Sequence, residues 1–392
     1  MKGSGLDLTN VPKEILFMGD LLKDVPVDQL EISDNMDWEL FIDFSLHHRL
    51  FPILHQKVKN ANKIPVHVRE TLAIYYKQNA FRMLQLSAEM INFHKHFVEK
   101  EIPMLFLKGP NLAHDLYGNV SLRTCSDLDV LVPIDRLQDA EEILLNQGFE
   151  KDDYIQTILG DWTWRHHHFT YIHKEKELKV EIHWRLNPGP GYEPTFRQLW
   201  EHRRKSNLTK KPLYMLGKEH QFFFLVTHGA RHGWSRLRWL FDIHQMLKQE
   251  IDWEMVLNIF KKHHYTKVGF QALLLARALF QSKMPIFAEC KKSRKLAQSA
   301  IYYLERKVNL HKEPLPEEIS KYHEQYLFGL MSIQQKLLYS LSLFFPYPED
   351  AQRFPLPKRL HFLYFPLRPI LGGIRMFKKQ TFLKKPNYEG GE

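Results

Sequence analysis

Cysteine is nearly absent. Two residues, Cys125 and Cys290, in a chain of 392 cannot build a disulfide framework, and so low a count fits a reducing compartment. Long apolar runs are missing too. The longest, FFFLV at 222–226 and LYSLSLFF at 338–345, fall far short of a membrane span. The opening stretch MKGSGLDLTNVPKEIL lacks the continuous apolar core of a secretory leader. These absences argue against a disulfide-stapled secreted module or an integral membrane protein, and make the cytoplasm the expected compartment. Acids are lacking in one region: between Asp350 and Glu389 there is none, against nine Lys and Arg residues interleaved with Phe, Tyr, Leu and Pro. The net charge of +10 favours anionic partners such as nucleotides, nucleic acid or acidic lipid, without choosing among them.

What is present suffices for more than one core. Hydrophobic residues at 44% and charged residues at 26% are ordinary for a soluble globular protein. Residues 35–100 read as helical, broken by Pro52 and Pro65, with Phe81, Leu84, Ala88, Ile91 and Val98 sharing one helix face. Next comes a short strand, Met104–Leu107, that meets Gly109-Pro110 at a helix start. RTCSDLDVLVP (123–133) is a second strand, followed by a helix with Asp135 as expected N-cap and Gly148 as its stop. Strands at 167–173 and 178–184 are joined by the turn KEKE. From about 195 the chain is helical again. The reading is an α+β fold, a small mixed β-sheet core flanked by N-terminal and C-terminal helical regions. The expected divisions are 1–100 (helical), 101–195 (α/β core), 196–345 (helical) and 346–392 (a basic, Pro- and aromatic-rich wrap).

The chemistry concentrates on the two central strands. Leu128, Val130 and Val132 share one face of theirs, which leaves Asp127 and Asp129 on the other. In LKVEIHW, Glu181 and His183 likewise oppose Leu178, Val180, Ile182 and Trp184. If the strands are neighbours, three carboxylates converge, and they repel unless something cationic lies among them. Oxygen ligands with open positions suit Mg²⁺ or Mn²⁺ bound together with a phosphate substrate. A D-x-D pair alone is more often an exposed turn; here it lies in an apolar strand, follows Lys-Gly-Pro and precedes a third inward acid.

The blocks LKGPNLAHDLYG, LRTCSDLDVLV, VEIHWRL and THGARHGWSRLRWLFDI, spread over roughly residues 40–370, resemble the uncharacterised nucleotidyltransferase family of the polymerase-β-like superfamily. The resemblance implies a metal-dependent transfer of a nucleoside monophosphate from an NTP to an acceptor hydroxyl or phosphate, with release of pyrophosphate. It implies Asp127, Asp129 and Glu181 as catalytic metal ligands, and Lys108 and Gly109 as a triphosphate-binding turn. The superfamily usually has Gly-Ser at that turn; this chain has Lys108-Gly109-Pro110, and the resemblance implies that the Lys108 charge stands in for the serine hydroxyl. Arg123, four residues before the D-x-D, is read either as a phosphate contact or as an offset to the acids, and His183 as a neighbour of the substrate.

Arg231, His232, Arg238 and Asp242 form an expected polar edge, with Arg231 and His232 as nucleotide contacts. His228 and His232 share a helix face, but no H-E-x-x-H pattern surrounds them. Of the run His166–His168, one ring is the candidate for the substrate side. Trp234 and Trp239 read as core, and Cys125 carries no sign of a nucleophile. The sequence does not identify the acceptor, for which a small molecule, a saccharide or a peptide is the expectation; the rival readings are a transferase acting on a peptide natural product or saccharide precursor, and an inactive nucleic-acid-binding protein, the disfavoured case. In the tail, Pro355, Pro357, Pro366 and Pro369 exclude a long membrane-surface helix. Phe354, Phe362, Tyr364 and Phe365 are expected to pack back, leaving Arg359, Arg368 and Lys378 to attract an anionic acceptor.

Overall fold

A computed structural model of the chain describes residues 5–285, 291–310 and 314–368. Cys290, Pro369 and Lys378 lie outside the described residues. The chain divides into two compact units. The first comprises 1–152, 168–187 and 192–332, and the second 153–167, 188–191 and 333–392.

The first unit is built on one mixed sheet of seven strands: β1 (Leu105–Phe106), β2 (Asp127–Leu131), β3 (Glu150–Lys151), β4 (His168–His173), β5 (Leu178–His183), β6 (Arg204–Lys205) and β7 (Tyr214–Met215). Their order is β3-β4-β5-β2-β1-β7-β6. The expected α+β architecture is therefore present. Its edge at β6 and β7 was not legible, because two-residue strands carry no period to read. The central pair β2 and β5 runs parallel, with Asp129 opposite Glu181 and Leu131 opposite His183. β4 pairs antiparallel to β5 and sets His168 beside His183. β1 pairs antiparallel to β2, and the Leu107 N–H donates to the Asp129 carbonyl at 2.9 Å.

Helices flank the sheet. Trp38–His47, Phe51–Val58 and Val66–Glu99 fill the N-terminal region, with Pro52 in the first turn of the second and Pro65 capping the third. Val66–Glu99 runs 34 residues because nothing between Pro65 and Glu99 breaks it: the stretch has neither Gly nor Pro. It contacts β2 and the helix Leu137–Asn146. Its buried face, however, is Val68, Leu72, Met83, Leu86, Met90, Phe93 and Phe97. The stripe read from the sequence is one face of the helix, and it is the exposed one, Phe81 at 74% and Leu84 at 61%, with Ile91 and Val98 also on the surface. The helix has apolar residues on two faces, and periodicity finds both without saying which one is covered. Phe97→Ala is accordingly expected to cost about 3–5 kcal/mol, whereas Phe81→Ser should stay within about 0.5 kcal/mol. Denaturant melts of the two variants check this, and similar losses would contradict the assignment.

Two smaller expectations also change. Asp135 lies in a short 3₁₀ turn, Ile134–Arg136, and makes no cap to the helix that starts at Leu137. The tail packs only in part. Tyr364 is fully buried, Phe365 meets Phe345 at 4.8 Å, and Arg368 pairs with Asp350 at 3.2 Å, so Arg368 is not available for steering. Phe354 and Phe362 face solvent. Trp234 is core, as expected.

Candidate active site

The parallel register brings the acids together. Asp127 and Asp129 on β2 and Glu181 and His183 on β5 occupy one face, while Leu128, Val130, Val180 and Ile182 are buried on the other. Asp129 is completely buried. Its Oδ1 lies 3.0 Å from the Lys108 ammonium and 3.2 Å from His183 Nε2. His183 Nε2 also lies 3.5 Å from Glu181 Oε2, and its Nδ1 is 3.3 Å from the Arg185 carbonyl. Lys179 sits two residues before Glu181 on the same face, 2.6 Å from Glu181 Oε1 and 3.6 Å from Asp127 Oδ2. Two lysines and an imidazole thus offset three carboxylates.

Lys108 arrives from the end of β1, which the Gln221 side chain fixes by donating to the Leu107 carbonyl at 3.1 Å. Gly109 follows at φ +83°, a conformation that L side chains rarely adopt, and Pro110 opens the helix Pro110–Tyr117. The turn expected from Lys-Gly-Pro is therefore present beside the acids.

The charges interlock. Burial opposes ionisation of Asp129, but Lys108 and His183 outweigh it and hold its carboxyl below the usual range. Glu181 is likewise held well down against burial, by its hydrogen bond to His183 and the charges of His183 and Lys108. Burial, and then the Asp129 charge, push Asp127 the other way. Burial would discharge His183 and Lys108, yet the surrounding carboxylates keep both above their ordinary values. His168, 3.8 Å from Glu181 Oε2, is pulled down to about 3 by burial and then by His183. Burial and Asp127 push the Cys125 thiol up, which agrees with its having no nucleophilic role.

Asp129, Glu181 and His183 present ligand atoms within 4.8 Å of one another. Asp129 Oδ2 is buried with no hydrogen-bond partner, a lone pair that a cation would satisfy. The donor set fits a divalent ion, and it includes His183 where the sequence reading had Asp127 as the third ligand. Lys179 was missed altogether, although its place two residues before Glu181 is a period-2 signal.

The outer candidates are placed differently. Arg123 is buried, and Asp242 takes its guanidinium at 3.0–3.2 Å through three contacts from Nε and Nη2, while Nη1 has no hydrogen-bond partner. Asp242 also accepts from the Tyr117 hydroxyl at 2.7 Å, and the Arg238 guanidinium donates to the Thr124 carbonyl. Arg238 and Asp242 are therefore a buried network and not a cleft edge. Arg231 is half-buried within electrostatic range of Glu181 and Asp129, although burial lowers its pKa. The half-buried His232 ring lies 4.7 Å from that of His228 and 5.1 Å from Trp239. His228 Nε2 is 3.4 Å from the Lys108 ammonium.

No curated protein and no solved structure matches the chain. The profile of the family described as "Uncharacterised nucleotidyltransferase" matches residues 34–281, more than half of the chain and shorter than the 40–370 over which the motif blocks are spread. The chain therefore belongs to the uncharacterised nucleotidyltransferase family.

Proposed function

We propose that the chain is a divalent-metal-dependent nucleotidyltransferase that moves a nucleoside monophosphate from an NTP to an acceptor hydroxyl or phosphate. One observation carries the reading: Asp129 and Glu181 stand side by side in register beneath His183, with a buried carboxylate oxygen left open. In the reaction the acceptor oxygen attacks the α-phosphorus, the bond to the β-phosphate oxygen breaks, and pyrophosphate leaves. A bound divalent ion would supply charge neutralisation and acidify the acceptor hydroxyl. Asp129, Glu181 and His183 would hold it, with Asp127 beside them. Carboxylates shared with substrate phosphates suit Mg²⁺ or Mn²⁺. Lys108, drawn to Asp129 in the free protein, would turn its charge to the triphosphate, and the backbone at Gly109 lets the phosphates approach. Arg231 is the further candidate for a phosphate contact.

The test is incubation with each α-labelled NTP, Mg²⁺ or Mn²⁺ and a cell extract, following where the label goes. Label transferred to a saccharide, peptide or small molecule identifies the acceptor. No transfer with any NTP would overturn the reading. Glu181→Gln is expected to lower kcat with little change in KM for the NTP, because it would act on the acceptor side. An effect confined to KM would place Glu181 at the triphosphate instead.

A further inference from the structure

One helix of the second unit displays apolar residues to solvent. In the helix Ile333–Ser342, Ile333, Leu337 and Leu341 recur every four residues, and Phe344 follows in the next turn. All four face solvent, Ile333 at 83% and Leu337 at 62%. The side chains this helix buries are polar, Gln335 and Ser342. A helix stabilised by core packing has the reverse pattern, so this surface is shaped for a non-aqueous contact.

The segment after the helix repeats the arrangement. Phe354, Leu360 and Phe362 are exposed, yet the backbone that carries them is fixed. The buried Tyr364 hydroxyl donates to the Phe354 carbonyl at 2.7 Å and accepts from the Leu356 N–H at 3.0 Å, and the His361 ring lies 3.1 Å from the Leu356 carbonyl. The rings are held outward by a built scaffold. Lys358 and Arg359, in the same turn as Leu360 and Phe362, are also exposed. They belong to the acid-free stretch that carries nine cations.

We propose that this unit docks on the surface of an anionic lipid bilayer. Its aliphatic and aromatic side chains would enter the acyl boundary, and Lys358 and Arg359 would engage headgroup phosphates. Charge complementarity selects the partner: the stretch is of one sign over 351–388. The aliphatic character of Ile333, Leu337, Leu341 and Leu360 favours lipid over nucleic acid, because bases stack on planar rings and not on branched chains. The contact is interfacial, since no helix among the described residues is long and apolar enough to cross a membrane. The helix that carries it precedes the prolines that break up the tail.

Sedimentation of the full chain with phosphatidylcholine vesicles, with and without phosphatidylserine, tests the proposal, alongside single-stranded RNA as a rival ligand. NTP turnover plays no part in the readout. The expected result is recovery with the serine-containing vesicles at least about tenfold above that with neutral ones. Leu337→Glu/Leu341→Glu should lower that recovery by about tenfold or more. Lys358→Glu/Arg359→Glu should remove the preference for anionic lipid. These side chains are exposed, so melting should be unchanged; Phe362→Ser gives an independent variant in the second segment. Absence of vesicle binding, binding insensitive to all three variants, or binding to RNA alone would overturn the proposal.

Discussion

Asp129→Asn is expected to lower nucleotidyl transfer by on the order of a thousandfold, the scale of losing a fixed charge at the reacting phosphate, and to destabilise the protein as well. The carboxylate is fully buried against Lys108 and His183. Removing its charge leaves two buried cations with weaker compensation, a loss near the lower end of about 3–5 kcal/mol because Glu181 and Asp127 remain nearby. Asp127→Asn should lose turnover to a similar degree and behave oppositely in stability. Burial and the Asp129 charge raise the Asp127 carboxyl, so it binds its proton more tightly in the folded state. Its contribution is favourable below the unfolded value of 3.8 and is lost as pH rises through the raised one. At neutral pH Asp127→Asn should therefore melt at or above wild type, with the difference closing as pH falls. Melts in chelator across pH, beside NTP assays, separate the two. Equal stability of the variants would contradict the charge assignment, and wild-type turnover in both would remove the catalytic one.

Much of this was legible because strands have a period of two. Alternation alone puts Asp127 and Asp129 on one face of β2 and Glu181 and His183 on one face of β5, and the pairing of the two strands brings those faces together. The turn at Lys108-Gly109-Pro110 was legible for the same local reason, since Gly and Pro mark where the backbone must bend. What sequence did not reveal was pairing across distance. Arg123 was read from its place beside the D-x-D, but its partner lies 119 residues on. His183 was read as a substrate neighbour because no local rule says that its Nε2 points at Asp129. The second unit joins three separated segments, so no composition shift marks its edges. Helical period on Val66–Glu99 finds an apolar face but not whether it is covered: two such faces are present, and only the neighbours decide between them.

That distant pairing yields a large expected effect on stability. Asp242→Ala should destabilise the protein by about 3–5 kcal/mol, because it strands a buried cation. Arg123 is held in its charged form against burial by Asp242, through charge and then hydrogen bonding. Burial and then Arg123 already pull the neighbouring Arg238 down to about 9, with Asp242 acting in the other direction. Without Asp242 two buried guanidinium groups would face each other uncompensated, and the Tyr117 hydroxyl would lose its acceptor. Asp242→Asn keeps an acceptor for Tyr117 and loses only the charge, so it should fall between wild type and Asp242→Ala. The double variant Arg123→Met/Asp242→Leu removes both charges and should recover most of the loss. Thermal melts rank the three, and low-temperature turnover separates structure from catalysis. If Arg123 serves only Asp242, the double variant retains turnover close to wild type. A stable double variant without turnover would return Arg123 to the phosphates.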